Sequence, residues 1–242
     1  MKQAFCICVA LVFGFCAFGA QKMTDQELDA LVDKFVQCEH PDFVQGCIDE
    51  LKAEGRLSES ELAEAFYRGA LRFKDRKEDG SRLNKSLFWL TNTLPENRLG
   101  ELRRLAQTYP GSLGELSVWG LFKRTAERAG CLESMEDVIR VNPTVRSAVW
   151  RQFFTYLEKQ DRLKKKTAFR AEIIGFAERR AEEALDAWSC DYILVHHLDG
   201  YAKSLRRKER LARILTIPEI RLHSELVEYF QHELNKMEPV GK

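Results

Sequence analysis

Apolar residues recur along this chain at helical rather than strand spacing. Leu28, Leu31, Val32, Phe35 and Val36 fall three and four residues apart, which gathers them on one stripe of an α-helix. Thr24-Asp25-Gln26-Glu27 stands in front of that stripe as a capping box, so the pattern predicts a helix running to about Cys38. Phe43, Cys47, Ile48 and Leu51 form the next stripe, begun at Pro41 or Asp42 and stopped by Gly55. Ser58 with Glu61 makes a second capping box ahead of Leu62, Phe66, Ala70 and Phe73, after which residues 74–80 read as a polar loop. Two further helices, over about 81–94 and 96–109, are each stopped by a proline, Pro95 and Pro110. Ser112 with Glu115 makes a third capping box, opening a helix through Leu116, Trp119, Phe122 and Ala126 to a stop at Gly130.

The later part of the chain repeats the pattern. A short helix over about 134–141 leads to Asn142-Pro143, an N-cap with proline at the first helical position. Val149, Trp150, Phe153 and Leu157 follow. Four more helices are predicted: a long one over about 165–187, one opened by Ser189 and ended at Asp199-Gly200, and two over about 203–215 and 218–237. No run alternates with period two between hairpin turns. The fold class is therefore all-α, with about twelve helices arranged as stacked antiparallel helical hairpins, either an α-solenoid-like array or an irregular helical bundle.

Hairpins of similar length invite a search for repeats. Leu99-Gly100-Glu101-Leu102-Arg103-Arg104-Leu105 leads to Pro110, and Leu132-Glu133-Ser134-Met135-Glu136-Asp137-Val138 leads to Pro143, 33 residues later at the same offsets. Trp89, Trp119, Trp150 and Trp188 follow one another at 30, 31 and 38 residues. On these residues the segment from Leu116 to Pro143 resembles a tetratricopeptide-type repeat. Trp119-Gly120 and Phe122 match that family's small and aromatic first-helix residues, and Pro143 closes the unit. Gly120 stands one place off register, and Cys131 occupies the place of a small alanine. The resemblance covers one unit, or two. It implies stacked hairpins whose concave face binds peptides or proteins.

The first residues form a separate object. Lys2 precedes an apolar run from Ala4 to Phe18, and Ala17 and Gly19 suit a small-residue cleavage site, so residues 1–19 read as a signal peptide and 20–242 as a single all-helical domain. An uncleaved signal anchor is the rival reading. Cys16 follows Gly14-Phe15, which is no lipobox, and no later segment is apolar enough to span a bilayer once the signal is cleaved. The expected location is exported, either periplasmic or extracellular. Cys6, Cys8 and Cys16 leave with the signal, and Cys38, Cys47, Cys131 and Cys190 remain. An even number of thiols in an exported chain predicts disulfides. Cys38–Cys47 is favoured because Glu39-His40-Pro41 makes a short turn between neighbouring helices, and Cys131–Cys190 follows by elimination. Cys38, His40 and Cys47 as a metal site lack a fourth ligand.

Composition narrows the class. Of 242 residues 45% are hydrophobic and 31% charged, with only 14 Gly and 6 Pro, which excludes collagen-like, proline-rich and generally disordered chains. The formal charge of +1 becomes zero without Lys2, and a nucleic-acid ligand is disfavoured, since polyanion binders carry an excess of bases. That neutrality is a cancellation. From Asp25 to Glu64 twelve acids stand against three bases, and from Arg146 to Arg213 sixteen bases stand against ten acids. The basic region holds two clusters, Lys164-Lys165-Lys166 and Arg206-Arg207-Lys208. A polarised molecule of this kind attracts an acidic partner to its basic part.

Catalytic motifs are absent from the pattern. No nucleophile elbow, phosphate loop, dinucleotide glycine pattern or zinc-protease helix occurs, and Gly111-Ser112-Leu113-Gly114 reads as a helix start. The candidate ligand-contacting cluster is His196 and His197 with Tyr192, Asp199 and Tyr201. Adjacent helical residues point ~100° apart, so the two imidazoles do not readily share one ligand. Glu225, Glu228 and His232 lie on one face of the last helix, opposite the apolar stripe of Ile220, Val227, Phe230, Leu234 and Met237. They read as a solvated face, and His223, on the stripe, as a core histidine. Asn84-Lys85-Ser86 is a glycosylation sequon. No metal, cofactor or catalytic residue is expected. The leading expectation is an exported binding or scaffold module whose partner is a protein or peptide, or an acidic surface or glycan. The alternatives are a glycan-active or other hydrolytic enzyme on an α/α toroid, and a self-associating structural protein of the envelope.

Overall fold

A computed structural model of the chain describes residues 21–38, 41–74, 80–187 and 207–237. These hold thirteen α-helices, two 3-10 turns and no strand, so the all-α class is as the spacing predicts. The chain gathers into two compact units, Met1–Pro95 and Glu96–Lys242.

The first unit contains α1 (Asp25–Gln37), α2 (Pro41–Ala53), α3 (Glu59–Phe73) and α4 (Gly80–Thr93). Both capping boxes predicted in this unit form. Thr24 accepts from the Glu27 N–H while the Glu27 carboxylate accepts from the Thr24 N–H, and Ser58 and Glu61 do the same. Helix α3 packs against α1 and α4, burying Leu28, Val32, Phe35, Leu62, Phe66, Leu87 and Leu90. Phe35 meets Phe66 and Trp89 edge-on at 5.3 and 4.8 Å, and Phe66 stacks on Trp89. The α1 stripe and the α3 stripe close on each other where Gly69 faces Val32; a β-carbon there would lie 2.9 Å from Val32 Cγ1.

The second unit runs through a 3-10 turn (Glu96–Arg98), α5 (Leu99–Thr108), α6 (Gly111–Thr125), α7 (Cys131–Val141), a 3-10 turn (Pro143–Val145), α8 (Arg146–Arg162), α9 (Ala168–Arg179) and α10 (Ala181–Ala187). After residue 206 come α11 (Arg207–Ile214), α12 (Pro218–Arg221) and α13 (Ser224–Asn235). Helices α5 and α6 close an antiparallel hairpin; α7 packs on α5 and α8 on α6, so one hairpin stacks on the next. The prolines that punctuate the 33-residue register sit at the equivalent bends. Trp150, Phe153, Phe154 and Leu157 of α8 are fully buried, and Trp150 stacks on Phe176 of α9 at 5.4 Å.

Several expected boundaries move. Ser112 does not cap α6; the helix starts at Gly111 after Pro110, with no side-chain cap. Helix α7 starts at Cys131 rather than near residue 134, because Gly130 turns the chain at φ +78°. Asn142 caps nothing: its side chain points back into the preceding hairpin, donating to the carbonyls of Ala106 (2.8 Å) and Tyr109 (3.0 Å). The long helix over 165–187 is broken at Arg180, which leaves the helical region at ψ 24°. That break turns Ala181, Ala184 and Leu185 inward against α8. The last helix is likewise broken at 222–223. His223 is therefore an exposed residue in front of α13 and not a core histidine.

Candidate interaction surface

Helix α8 ends on a turn built from its own backbone. The Lys165 N–H bonds the carbonyl of Gln160 and the Lys164 N–H that of Asp161, each at 2.9 Å. This pair of bonds is the Schellman pattern, in which the residue at Lys164's place adopts the left-handed conformation and is usually glycine. Lys164 does so at φ +52°. Three residues on, Thr167 caps α9, accepting from the Arg170 N–H at 3.0 Å. Between the two caps, six consecutive residues from Asp161 to Lys166 are exposed, and Leu163 among them is 52% exposed.

A tyrosine ties this turn to the one after α6. The Tyr156 phenol donates to Glu127 Oε1 at 2.6 Å and lies 3.1 Å from Thr167 Oγ1. Its ring packs edge-on to Phe122 and Phe169. Burial first, then the Glu127 carboxylate, pushes the phenol up to about 12. Glu127, like Lys164, is a non-glycine residue at positive φ, +68°, so the two turns at this end of the unit share an unusual backbone and one side-chain bridge. Such positions persist where surrounding contacts hold them.

Charge at this end is unevenly matched. Asp161 pairs with Arg170, and Glu158 with Arg162. Arg124 and Arg128, at the end of α6 and on the turn after it, donate to Glu96 of the first 3-10 turn and hold its carboxyl down to about 2. Lys159, Lys164, Lys165 and Lys166 are exposed and take part in no ion pair among the described residues. The first basic cluster of the sequence is thus a displayed cationic surface. The second reaches the described residues only at Arg207, which opens α11, and at exposed Lys208; Arg206 lies outside them. So does the whole candidate ligand cluster of Tyr192, His196, His197, Asp199 and Tyr201, together with Cys190.

The acidic stretch is a different matter. Arg68 reaches Asp25 (3.3 Å) and Asp29 (2.8 Å), and Arg72 reaches Asp29 (3.0 Å) and Asp33 (2.9 Å). Lys22 pairs with Glu61 and Lys52 with Glu59. Three of the twelve acids counted between Asp25 and Glu64 are thus matched inside their own unit by arginines just past the counted window.

Cys38 closes α1 half-buried, its carbonyl accepting from Lys85 at 3.0 Å, and Cys47 is half-buried on α2. Cys131 is a buried thiol 3.6 Å from Thr125 Oγ1, and burial pushes it up. Glu225, Glu228 and His232 lie on the exposed side of α13, away from buried Phe230. Among the described residues no three His, Cys, Asp or Glu side chains are placed to hold a metal, and no helix is long and apolar enough to cross a membrane. The Tyr156–Glu127–Thr167 bridge left no sequence signal, because Tyr156 falls in a helix read only for its apolar stripe. Comparison of the chain with protein-family models, curated proteins and solved structures finds no match.

Proposed function

We propose that this chain is an exported binding or scaffold protein of helical hairpins that docks an anionic partner on the basic turn between α8 and α9. The observation that carries the reading is the display of Lys164, Lys165 and Lys166 on consecutive exposed positions, with the nearby acids committed to other bases. Hairpin stacking supports the scaffold part, since stacked units bury one continuous core and leave an extended outer surface. The tetratricopeptide resemblance points the same way. Export rests on residues 1–19, and in an oxidising compartment Cys38 and Cys47 would pair.

Two measurements test the reading. Mass analysis of the secreted form should place its N-terminus at Ala20. Binding to two anionic probes, polyglutamate and anionic vesicles, should fall at least tenfold when Lys164, Lys165 and Lys166 are all changed to Glu, measured at ~0.01 M salt where the Debye length is roughly 30 Å. Equal binding of both probes by the variant would reject the basic turn as the docking site.

A further inference from the structure

We infer that the anionic partner of this turn is a membrane surface, on which the protein sits peripherally with Leu163 inserted among the lipid headgroups. The inference rests on the proposed anionic docking site and adds the identity of what docks there. Between Glu158 and Arg170 six bases stand against two acids. Both acids are engaged, Glu158 by Arg162 and Asp161 by Arg170, which leaves Lys159 and Lys164–Lys166 as four uncompensated cations around one turn.

At the centre of this charge sits a leucine with half its surface in water. The usual apolar contact of such a turn joins its third-last helical residue to the second residue beyond the cap. Here those places hold Gln160 and Lys165, so Leu163 has no apolar partner within the motif. An isolated exposed leucine is ordinary. One flanked by Lys159 and Lys164–Lys166 on a fully exposed turn matches a surface that is anionic at the headgroups and apolar beneath. An extended acidic peptide would be better served by a groove than by six consecutive outward residues. The turn is also stiff, pinned by two backbone bonds at its start, the Thr167 cap at its end and the Tyr156 bridge behind it. Little ordering is left to occur on contact.

The experiment is vesicle co-sedimentation at low salt with the chain from Ala20 and, beside it, the full chain. Vesicles are phosphatidylcholine alone or with about 30% phosphatidylglycerol, and polyglutamate serves as the soluble polyanion. Each lysine near an anionic bilayer contributes about fivefold, so Lys165→Gln with Lys166→Gln should weaken binding roughly 25-fold. Leu163→Ser should weaken vesicle binding about five- to tenfold, leave its salt dependence unchanged, and leave polyglutamate binding unchanged. All altered residues are exposed, and circular dichroism confirms that each variant is folded. Equal binding to neutral vesicles overturns the inference. So does a Leu163→Ser variant that binds anionic vesicles as well as the parent while the lysine variant does not, which leaves an anionic site without a membrane. If the lysine changes affect neither vesicles nor polyglutamate, the docking site itself falls with it.

Discussion

Single residues decide how closely the hairpins of the second unit approach. A β-carbon at Gly114 would collide with the carbonyl oxygen of Tyr109 and lie 2.9 Å from Val145 Cγ1, whereas one at Gly100 meets nothing within 4 Å. Gly114→Ala is therefore expected to destabilise by about 2–3 kcal/mol in urea titration, since backbone cannot yield as a side chain does. Gly100→Ala should be neutral or stabilise by up to ~1 kcal/mol through helix propensity. Lys164 runs the other way: it holds a left-handed position that glycine takes freely, so Lys164→Gly should stabilise by about 1 kcal/mol while removing one cation from the surface. A destabilised Lys164→Gly chain would mean that the lysine side chain contributes to the fold. Little of this was legible beforehand. Asn142 beside Pro143 has the signature of a cap, and only the hydrogen bonds its amide gives to carbonyls of the neighbouring hairpin, 33 and 36 residues back, show why its side chain turns away.

Helix by helix, the sequence speaks most clearly where the signal is local. Both capping boxes of the first unit form, and the apolar stripes of α1 and α3 are the buried ones. In the box that opens α3, hydrogen bonds from the Ser58 hydroxyl, then the Ser58 N–H, then Lys22 hold the Glu61 carboxyl down to about 2 from its ordinary 4.5. A carboxyl lowered in the folded state stabilises above its unfolded value and loses that contribution as pH falls through the folded one. The stability gap between the parent chain and Glu61→Gln should accordingly be full above 4.5 and close as pH falls to about 2; a gap constant down to that pH would exclude the box as its source. Between helices the signal is not local. Asp25, Asp29 and Asp33 repeat every fourth residue along α1, and Arg68 and Arg72 do the same on α3, 39 residues away. Each arginine is shared between two acids, so Arg68→Gln with Arg72→Gln should cost about 1–2 kcal/mol at low salt and clearly less at ~1 M salt, where exposed pairs are screened. Charge counted along a window could not see this pairing, because its cations lie on another helix.

Across the whole chain, long-range pairing is what separates a count of charges from a functional surface. Arg146 and Arg180 reach Glu183, Arg180 also reaches Glu136, and Arg213 reaches Asp186. Among the described residues part of the basic excess after residue 146 is thereby matched by acids, while Lys159 and Lys164–Lys166 at the end of α8 stay outward without an ion pair. The sequence named the last three of those lysines, but it could not separate them from arginines that serve structure. The same reasoning applies to the cores. Phe35, Phe66 and Trp89 close one aromatic cluster within Met1–Pro95, and Trp150, Phe153 and Phe176 close another within Glu96–Lys242. A unit of about 150 residues buries enough surface to fold alone, while one of about 75 is marginal. A chain restricted to residues 96–242 should therefore keep its helical circular dichroism and melt in one cooperative transition, whereas residues 20–95 alone should melt at lower temperature. Non-cooperative melting of the 96–242 chain would show that its core needs the first unit, and the basic turn would then have to be studied only in the intact protein.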